Sequence, residues 1–201
     1  MSRRPKCKNC KEEGHYSTKC PQSIVTTITI ETESPNDEAE DEVVSDLVAI
    51  PIGTDTINKF KTLIEMFTTV STTLRKGFNE CVYELAVCAE LQERHIRHSA
   101  QETIPIMYKD HYVGNNRLDI ILLEWLPCII ELKASAGSIK TEERWQVIRY
   151  MDRKCVPYGV VVNFNQSVKG RLYVSFIVKH EDHYYQYDLD TGMGKRMVDF
   201  V

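Results

Sequence analysis

The segment Arg117 to Lys133, RLDIILLEWLPCIIELK, sets three charged side chains inside two runs of aliphatic residues. Glu124-Trp125-Leu126-Pro127 interrupts the runs, so a hairpin is expected, with strands over 117–123 and 128–134. If the hairpin is centred near Trp125, Asp119 lies opposite Glu131, and directly opposed side chains have Cβ atoms about 4.5–5.5 Å apart. Glu131 and Lys133, two apart on a strand, point to the same face. Asp119, Glu131 and Lys133 therefore converge. Charges among buried aliphatics are costly unless they are paired or bound to a cation. Two carboxylates so placed suit a hard ion, Mg²⁺ or Mn²⁺, that retains several waters. A plain ion pair of Lys133 with Glu131 or Asp119 on a half-exposed strand explains the same residues without an ion, and the spacing alone does not choose between them.

The flanking sequence alternates between helical and extended patterns. From Thr56, the residues Ile57, Phe60, Leu63, Ile64, Phe67 and Val70 recur at helical spacing. After the break Arg75-Lys76-Gly77, a second helix is expected from about Asn79 to Arg94, with Cys81, Leu85, Cys88 and Leu91 as its apolar series and the two cysteines as buried small hydrophobes. Extended segments follow at about 102–108 and 111–114, ahead of the hairpin. Beyond it, TEERWQVIRYMDR (141–153) is amphipathic, with Thr141 as the expected N-cap and acidic residues in the first turn. YGVVVNF (158–164) reads as a buried strand, and two more strands are expected at about 171–179 and 183–189. This order indicates one α/β (α+β) domain with a mixed sheet.

With those elements placed, residues 57 to about 178 resemble the PD-(D/E)XK nuclease superfamily, and within it the GxxExxY family. The naming motif stands as Gly77, Glu80 and Tyr83 in GFNECVY. The Arg-x-Asp element is Arg117-Leu118-Asp119, the ELK element is Glu131-Leu132-Lys133, the helix glutamine is Gln146 in RWQVIRY, and the strand after it is GVVVNFN (159–165). Leu118 stands where a proline gives the superfamily part of its name. The resemblance implies an αβββαβ core flanked by helices. It implies that Asp119 and Glu131 bind the metal, that Lys133 acts in catalysis, and that Glu80 and Gln146 enter from helices beside the site.

The front of the chain differs in kind. Residues 1–22 carry six basic and two acidic side chains, residues 23–56 nine acidic and no basic ones, and residues 57–201 nineteen basic and eighteen acidic, so the net charge of −4 hides three blocks. In the basic block, CKNCKEEGHYSTKC spaces Cys7, Cys10, His15 and Cys20 for tetrahedral Zn²⁺, with Gly14 permitting the turn into the histidine. The stretch resembles a CCHC zinc knuckle, departing from the common pattern at Lys8 and Lys11. That likeness implies contact with single-stranded nucleic acid, RNA or DNA. Tyr16 offers a stacking face, and Arg3, Arg4, Lys6, Lys8, Lys11 and Lys19 can neutralise phosphates. A zinc site that supports only a protein contact is the alternative. The run Ser23 to Ile30, SIVTTITI, is β-branched and suits a short strand, but 31–46 is acidic, cannot bury a core and reads as disordered, so 23–55 as a whole is expected to be a flexible linker. The expected division is knuckle 1–22, linker 23–55 and nuclease-like domain 56–201.

Seven cysteines, three of them in the knuckle and four without framework spacing, fit a reducing compartment. No apolar run reaches the length of a membrane span. An intracellular, soluble protein is expected, with nucleus and cytoplasm undistinguished, and pairing into a homodimer is compatible with this kind of fold. His180, Asp182 and His183 read better as a hairpin turn than as a second metal site. Arg144, Arg149, Arg153 and Lys154 read as a polar helix face. The leading reading is a metal-dependent nuclease tethered to a single-strand-binding knuckle. A non-catalytic nucleic-acid-binding or scaffolding protein built on the same fold is the alternative, and an adaptor without nucleic-acid affinity is the third reading.

Overall fold

The computed structural model describes residues 29–30, 47–168 and 170–198. Two short strands come first, β1 (Thr29–Ile30) and β2 (Leu47–Ala49), followed by two helices, α1 (Thr54–Leu74) and α2 (Glu80–Glu93). Phe60, Leu63, Met66, Phe67 and Val70 form the buried stripe of α1, as the helical spacing requires. The Asn79 side chain caps α2 by accepting from the Val82 N–H at 3.3 Å. Of the two cysteines on α2, Cys88 is buried but Cys81 is exposed, so only one is the small hydrophobe expected.

A hairpin of two long strands follows, β3 (His98–Tyr108) and β4 (His111–Leu122), and then β5 (Cys128–Lys133), α3 (Thr141–Lys154) and β6 (Tyr158–Phe164). The segments expected at 111–114 and 117–123 are one continuous strand. Thr141 is the first residue of α3 rather than its cap: Lys140 takes the cap position, and the Glu143 carboxylate accepts from the Lys140 backbone N–H at 2.8 Å. β7 (Leu172–His180), β8 (His183–Tyr187) and β9 (Met193–Arg196) complete the domain. The turn between β7 and β8 puts Glu181 and Asp182 at positive φ, with His180 paired to His183, so HEDH is a two-residue hairpin as expected.

Among the described residues, the strands form one mixed sheet in the order β2-β9-β8-β7-β6-β5-β4-β3, with β1 set against β7. β5 and β6 run parallel, joined by α3 as the crossover, and β4–β5 and β6–β7 are antiparallel. The pleat of the central strands sorts two cores. Ile130, Leu132, Val160, Val162 and Phe176 pack toward α1 and α2, while Ile129, Val161 and Ile177 pack toward α3. At Gly159, α3 lies so close that an added Cβ would meet Val147 Cγ1 at 2.4 Å.

Two strands fall within residues 23–55, and the flexible linker expected there does not hold at those positions. Leu47-Val48-Ala49 has no charge and pairs with the open edge of β9. Thr29 and Ile30 pair with Tyr173 and Val174, the part of the β7 edge that β8 leaves unpaired. The acidic residues 31–46 lie outside the described residues, as does the whole knuckle with Cys7, Cys10, His15 and Cys20. No helix among the described residues is long and apolar enough to cross a membrane.

Candidate active site

The β4–β5 ladder pairs Ile120 with Ile130, Ile121 with Ile129 and Leu122 with Cys128, which centres the hairpin on Trp125. One step further in the same register, Asp119 faces Glu131. The ladder yields there to a side-chain contact, because Asp119 Oδ2 accepts from the Leu132 backbone N–H at 2.7 Å. Glu131 is 2% exposed and Asp119 8%. Lys133, at the carboxyl end of β5, donates through Nζ to Glu131 Oε1 at 2.6 Å. Glu131 Oε2 is buried and has no hydrogen-bond partner among the described residues. The site thus lies at the carboxyl ends of two parallel strands, the usual place for ligands in α/β sheets.

The electrostatics follow from this crowding. Burial, with the nearby Asp119 charge, pushes the Glu131 carboxyl up to about 7 against the pull of Lys133. Burial also raises Asp119, partly offset by the bond from Leu132 and by the charges of Lys133 and Arg117. Burial works to lower Lys133, but the Glu131 carboxylate, with Glu80 and Asp119 behind it, holds its ammonium above the ordinary lysine value. Glu80, at the start of α2, is raised by burial and feels Lys133 first among charges, then Asp119.

Gln146 stands one step back. Its Nε2 donates to Tyr150 Oη at 3.1 Å, and that hydroxyl donates to the Arg117 carbonyl at 3.3 Å. Burial raises the Tyr150 phenol, and the charges of Glu131 and Asp119 add to the rise. Of the five residues expected at the site, Glu131 and Lys133 are in contact, Asp119 lies opposite Glu131 and is tied to the Leu132 N–H, Glu80 is within electrostatic reach on α2, and Gln146 bonds Tyr150 on its own helix.

Glu84 was not singled out by sequence. It is 7% exposed, one turn after Glu80, and is raised by burial, with a hydrogen bond from Gln101 opposing and the Asp119 charge adding to the rise. The available signal was a glutamate four residues after Glu80, flanked by buried Tyr83 and Val87. Gln101 stands opposite Asp119 in the β3–β4 register and has a φ of 58°, where a non-glycine residue is strained. Arg144 departs from the expected polar helix face: it is buried, and its Nε donates to Ser175 Oγ at 3.1 Å.

Gly77 and Tyr83, the other two residues of the expected motif, act away from the carboxylates. Gly77, at a φ of 104°, donates its N–H to Gln166 Oε1 at 2.8 Å. Tyr83 Oη donates to the Arg75 carbonyl at 2.7 Å and accepts from Gln166 Nε2 at 3.1 Å. Its ring stacks on Phe164 at 4.6 Å between centroids. Gly77 and Tyr83 thus fasten the start of α2 to the end of β6 through one glutamine, which fixes Glu80 over the strand ends.

A divalent ion fits this donor set. No group of three or more His, Cys, Asp or Glu side chains among the described residues could hold an ion alone. Mg²⁺ needs no such cage, since one or two carboxylates, waters and substrate phosphate complete its shell. Glu131 Oε2, buried and without a partner, is the atom a cation would satisfy, and the repulsion between Glu131 and Asp119 is what it would relieve.

The family model of the PD-(D/E)XK nuclease superfamily matches residues 58–174, which span α1 through the first part of β7. The zinc knuckle model, zf-CCHC, matches residues 5–22. No curated protein matches the chain. Among solved structures, the crystal structure of SSO0001 is 14% identical, with a TM-score of 0.38, over 67% of this chain and 62% of that one, so the match spans about three fifths of its length.

Proposed function

We propose that this chain, which belongs to the PD-(D/E)XK nuclease superfamily, is a divalent-cation-dependent nuclease that hydrolyses phosphodiester bonds. The nuclease domain and the zinc knuckle both support nucleic-acid binding. The observation that carries the catalytic reading is the unpartnered, buried Glu131 Oε2 beside Asp119, with Lys133 fastened to the other oxygen of the same carboxylate. A buried ion pair serving stability alone needs its remaining lone pairs satisfied; this one leaves an acceptor open, with a second carboxylate opposite it on the neighbouring strand.

In this reading Asp119 and Glu131 hold Mg²⁺ or Mn²⁺. When bound, the ion supplies positive charge to a phosphate oxygen and acidifies a water for attack. Lys133 keeps its proton and sets an ammonium where negative charge develops on the phosphoryl oxygens. Glu80 adds negative charge toward Lys133 from the α2 side, and Gln146, bonded to Tyr150, braces the α3 wall against the Arg117 carbonyl. The Leu132 N–H orients Asp119, so the backbone of β5 and its own side chains build the site together.

Cys7, Cys10, His15 and Cys20 would hold structural Zn²⁺, a donor set of three thiolates and one imidazole that suits that ion. Tyr16 stacks on an unpaired base, and Lys8, Lys11 and Lys19 neutralise phosphates of a single strand. The knuckle decides where the protein binds, and the carboxylates decide what happens there. Cleavage of DNA or RNA that requires added Mg²⁺ or Mn²⁺ tests the catalytic reading; a protein that takes up the ion and cuts none of a broad substrate panel would refute it.

A further inference from the structure

At the end of β6, the end of α1 and the β6–β7 connection form a cleft of about 520 Å³, separate from the carboxylates. Arg75, Lys76 and Arg171 line it together with Ser71, Thr72 and Asn165, and no carboxylate is among its lining residues. The carboxyl end of α1 favours cations nearby because the helix dipole is negative there. That accounts for Arg75 and Lys76, but not for Arg171, which comes from the chain entering β7.

The two residues after α1 are held in different ways. Lys76 Nζ donates to the Ser167 carbonyl and, at 3.2 Å, to the Val168 carbonyl, so it fixes the loop that forms the far wall. Arg75 is held by its backbone: its N–H donates to the Ser71 carbonyl at 3.0 Å, its carbonyl accepts from Tyr83 Oη, and its φ is 62°. No hydrogen bond or ion pair of its guanidinium to another described residue occurs. A non-glycine residue in that left-handed region is unfavourable unless its surroundings impose it. Here the surroundings spend their bonds on the backbone and leave the guanidinium facing an open, carboxylate-free cleft.

We propose that this cleft is a phosphate subsite for the nucleic acid, taking a phosphate away from the bond that is cut. Guanidinium groups suit phosphate because their N–H donors pair with two oxygens at once. The cleft is rigidly coupled to the catalytic centre, since Tyr83 binds Arg75 and Glu80 lies on the same turn of α2. A strand gripped at Arg75 and Arg171 would therefore be held at a fixed offset from Lys133. The inference rests on nucleic acid being the ligand, as proposed above, and not on cleavage.

The test uses the full chain carrying Lys133→Ala, so that strands stay intact, with binding of a labelled oligonucleotide followed by anisotropy at increasing salt. Adding Arg75→Ala and Arg171→Ala is expected to weaken binding and to flatten the slope of log K against log salt by about one for each phosphate that is no longer neutralised. The thermal midpoint should not change. Oligonucleotides with a 5′-phosphate and a 5′-hydroxyl separate the two sources of phosphate. A weakening confined to the former marks a terminal phosphate, and an equal weakening of both marks an internal one. An unchanged slope overturns the subsite, as does a fall in affinity that accompanies a lowered midpoint with the slope intact. Absence of oligonucleotide binding before the arginines are changed would instead overturn the nucleic-acid reading itself.

Discussion

Lys133 Nζ donates to Glu131 Oε1 at 2.6 Å, two residues apart on one strand, while Glu131 Oε2 stays buried without a partner. The pair is half satisfied, and Asp119 lies opposite Glu131 on the neighbouring strand. Such a network weakens the fold. Proteins tolerate that weakness where a ligand or a reaction uses it.

The pH dependence of stability carries the signature of this arrangement. The folded-state pKa of Glu131 is raised from 4.5 to about 7. Between those values the folded state binds more protons than the unfolded one, so stability falls as pH rises through the window and levels off above it. At one pKa unit per 1.36 kcal/mol, the loss is about 3 kcal/mol at most. Denaturant unfolding of the cation-free protein at pH 5 and pH 8 should show this decline, and Glu131→Gln should remove most of it. A variant with the same decline would place the proton elsewhere.

The same proton competes with the ion. Divalent-cation affinity, measured by calorimetry, is expected to rise about tenfold from pH 6 to pH 8 as Glu131 ionises. Asp119→Asn and Glu131→Gln should each abolish this binding, leaving only ions taken up by the knuckle. Equal affinity in wild type and both variants would remove Asp119 and Glu131 from the proposed site.

The hairpin that bears these residues is legible because Trp125 marks its centre and the charged residues break two aliphatic runs at matched distances. α1 and α3 are legible from periodicity and β6 from its apolar run; α2 is legible as a helix, but the apolar series read on it fails at Cys81 and Leu85, both exposed, because Tyr83 and Val87 share its buried face with Cys88 and Leu91. β2 is not, since three residues show no period and form a strand only because the edge of β9 is open to them; β1 falls within the β-branched run 23–30, but its pairing with β7 is not visible in the sequence. β9, with the sequence MGKR, is equally silent and exists through its pairing with β8. The first turn of β3, His98 to Gln101, has little strand preference and is extended because β4 pairs with it. Glu84 and Arg144 look like surface charges in sequence; each is buried only because strands lie against its helix.

Tyr83 is expected to act through its hydroxyl as well as its ring. Tyr83→Phe keeps the stack on Phe164 but leaves the Arg75 carbonyl and Gln166 Nε2 each short of a bond, at a cost of about 1–2 kcal/mol in urea unfolding. An unchanged midpoint would mean that the clamp between α2 and β6 does not depend on that hydroxyl.

At the front of the chain, Tyr16→Ala should weaken single-strand binding by about 1–3 kcal/mol, the range for removing the stack on one base. Zinc content, measured by metal analysis, should stay the same because Tyr16 is not a ligand. Equal single-strand affinity in both proteins would leave the knuckle without the proposed stacking contact.

The most direct measurement is a cleavage screen of single- and double-stranded DNA and RNA, with Mg²⁺ or Mn²⁺ present or withheld, run on the full chain and on Lys133→Ala. The expected result is cleavage that requires the cation and is abolished in the variant while oligonucleotide binding persists. Cleavage retained by Lys133→Ala, or a cation-loaded wild type that binds nucleic acid and cuts none of it, would contradict a catalytic site at Asp119, Glu131 and Lys133.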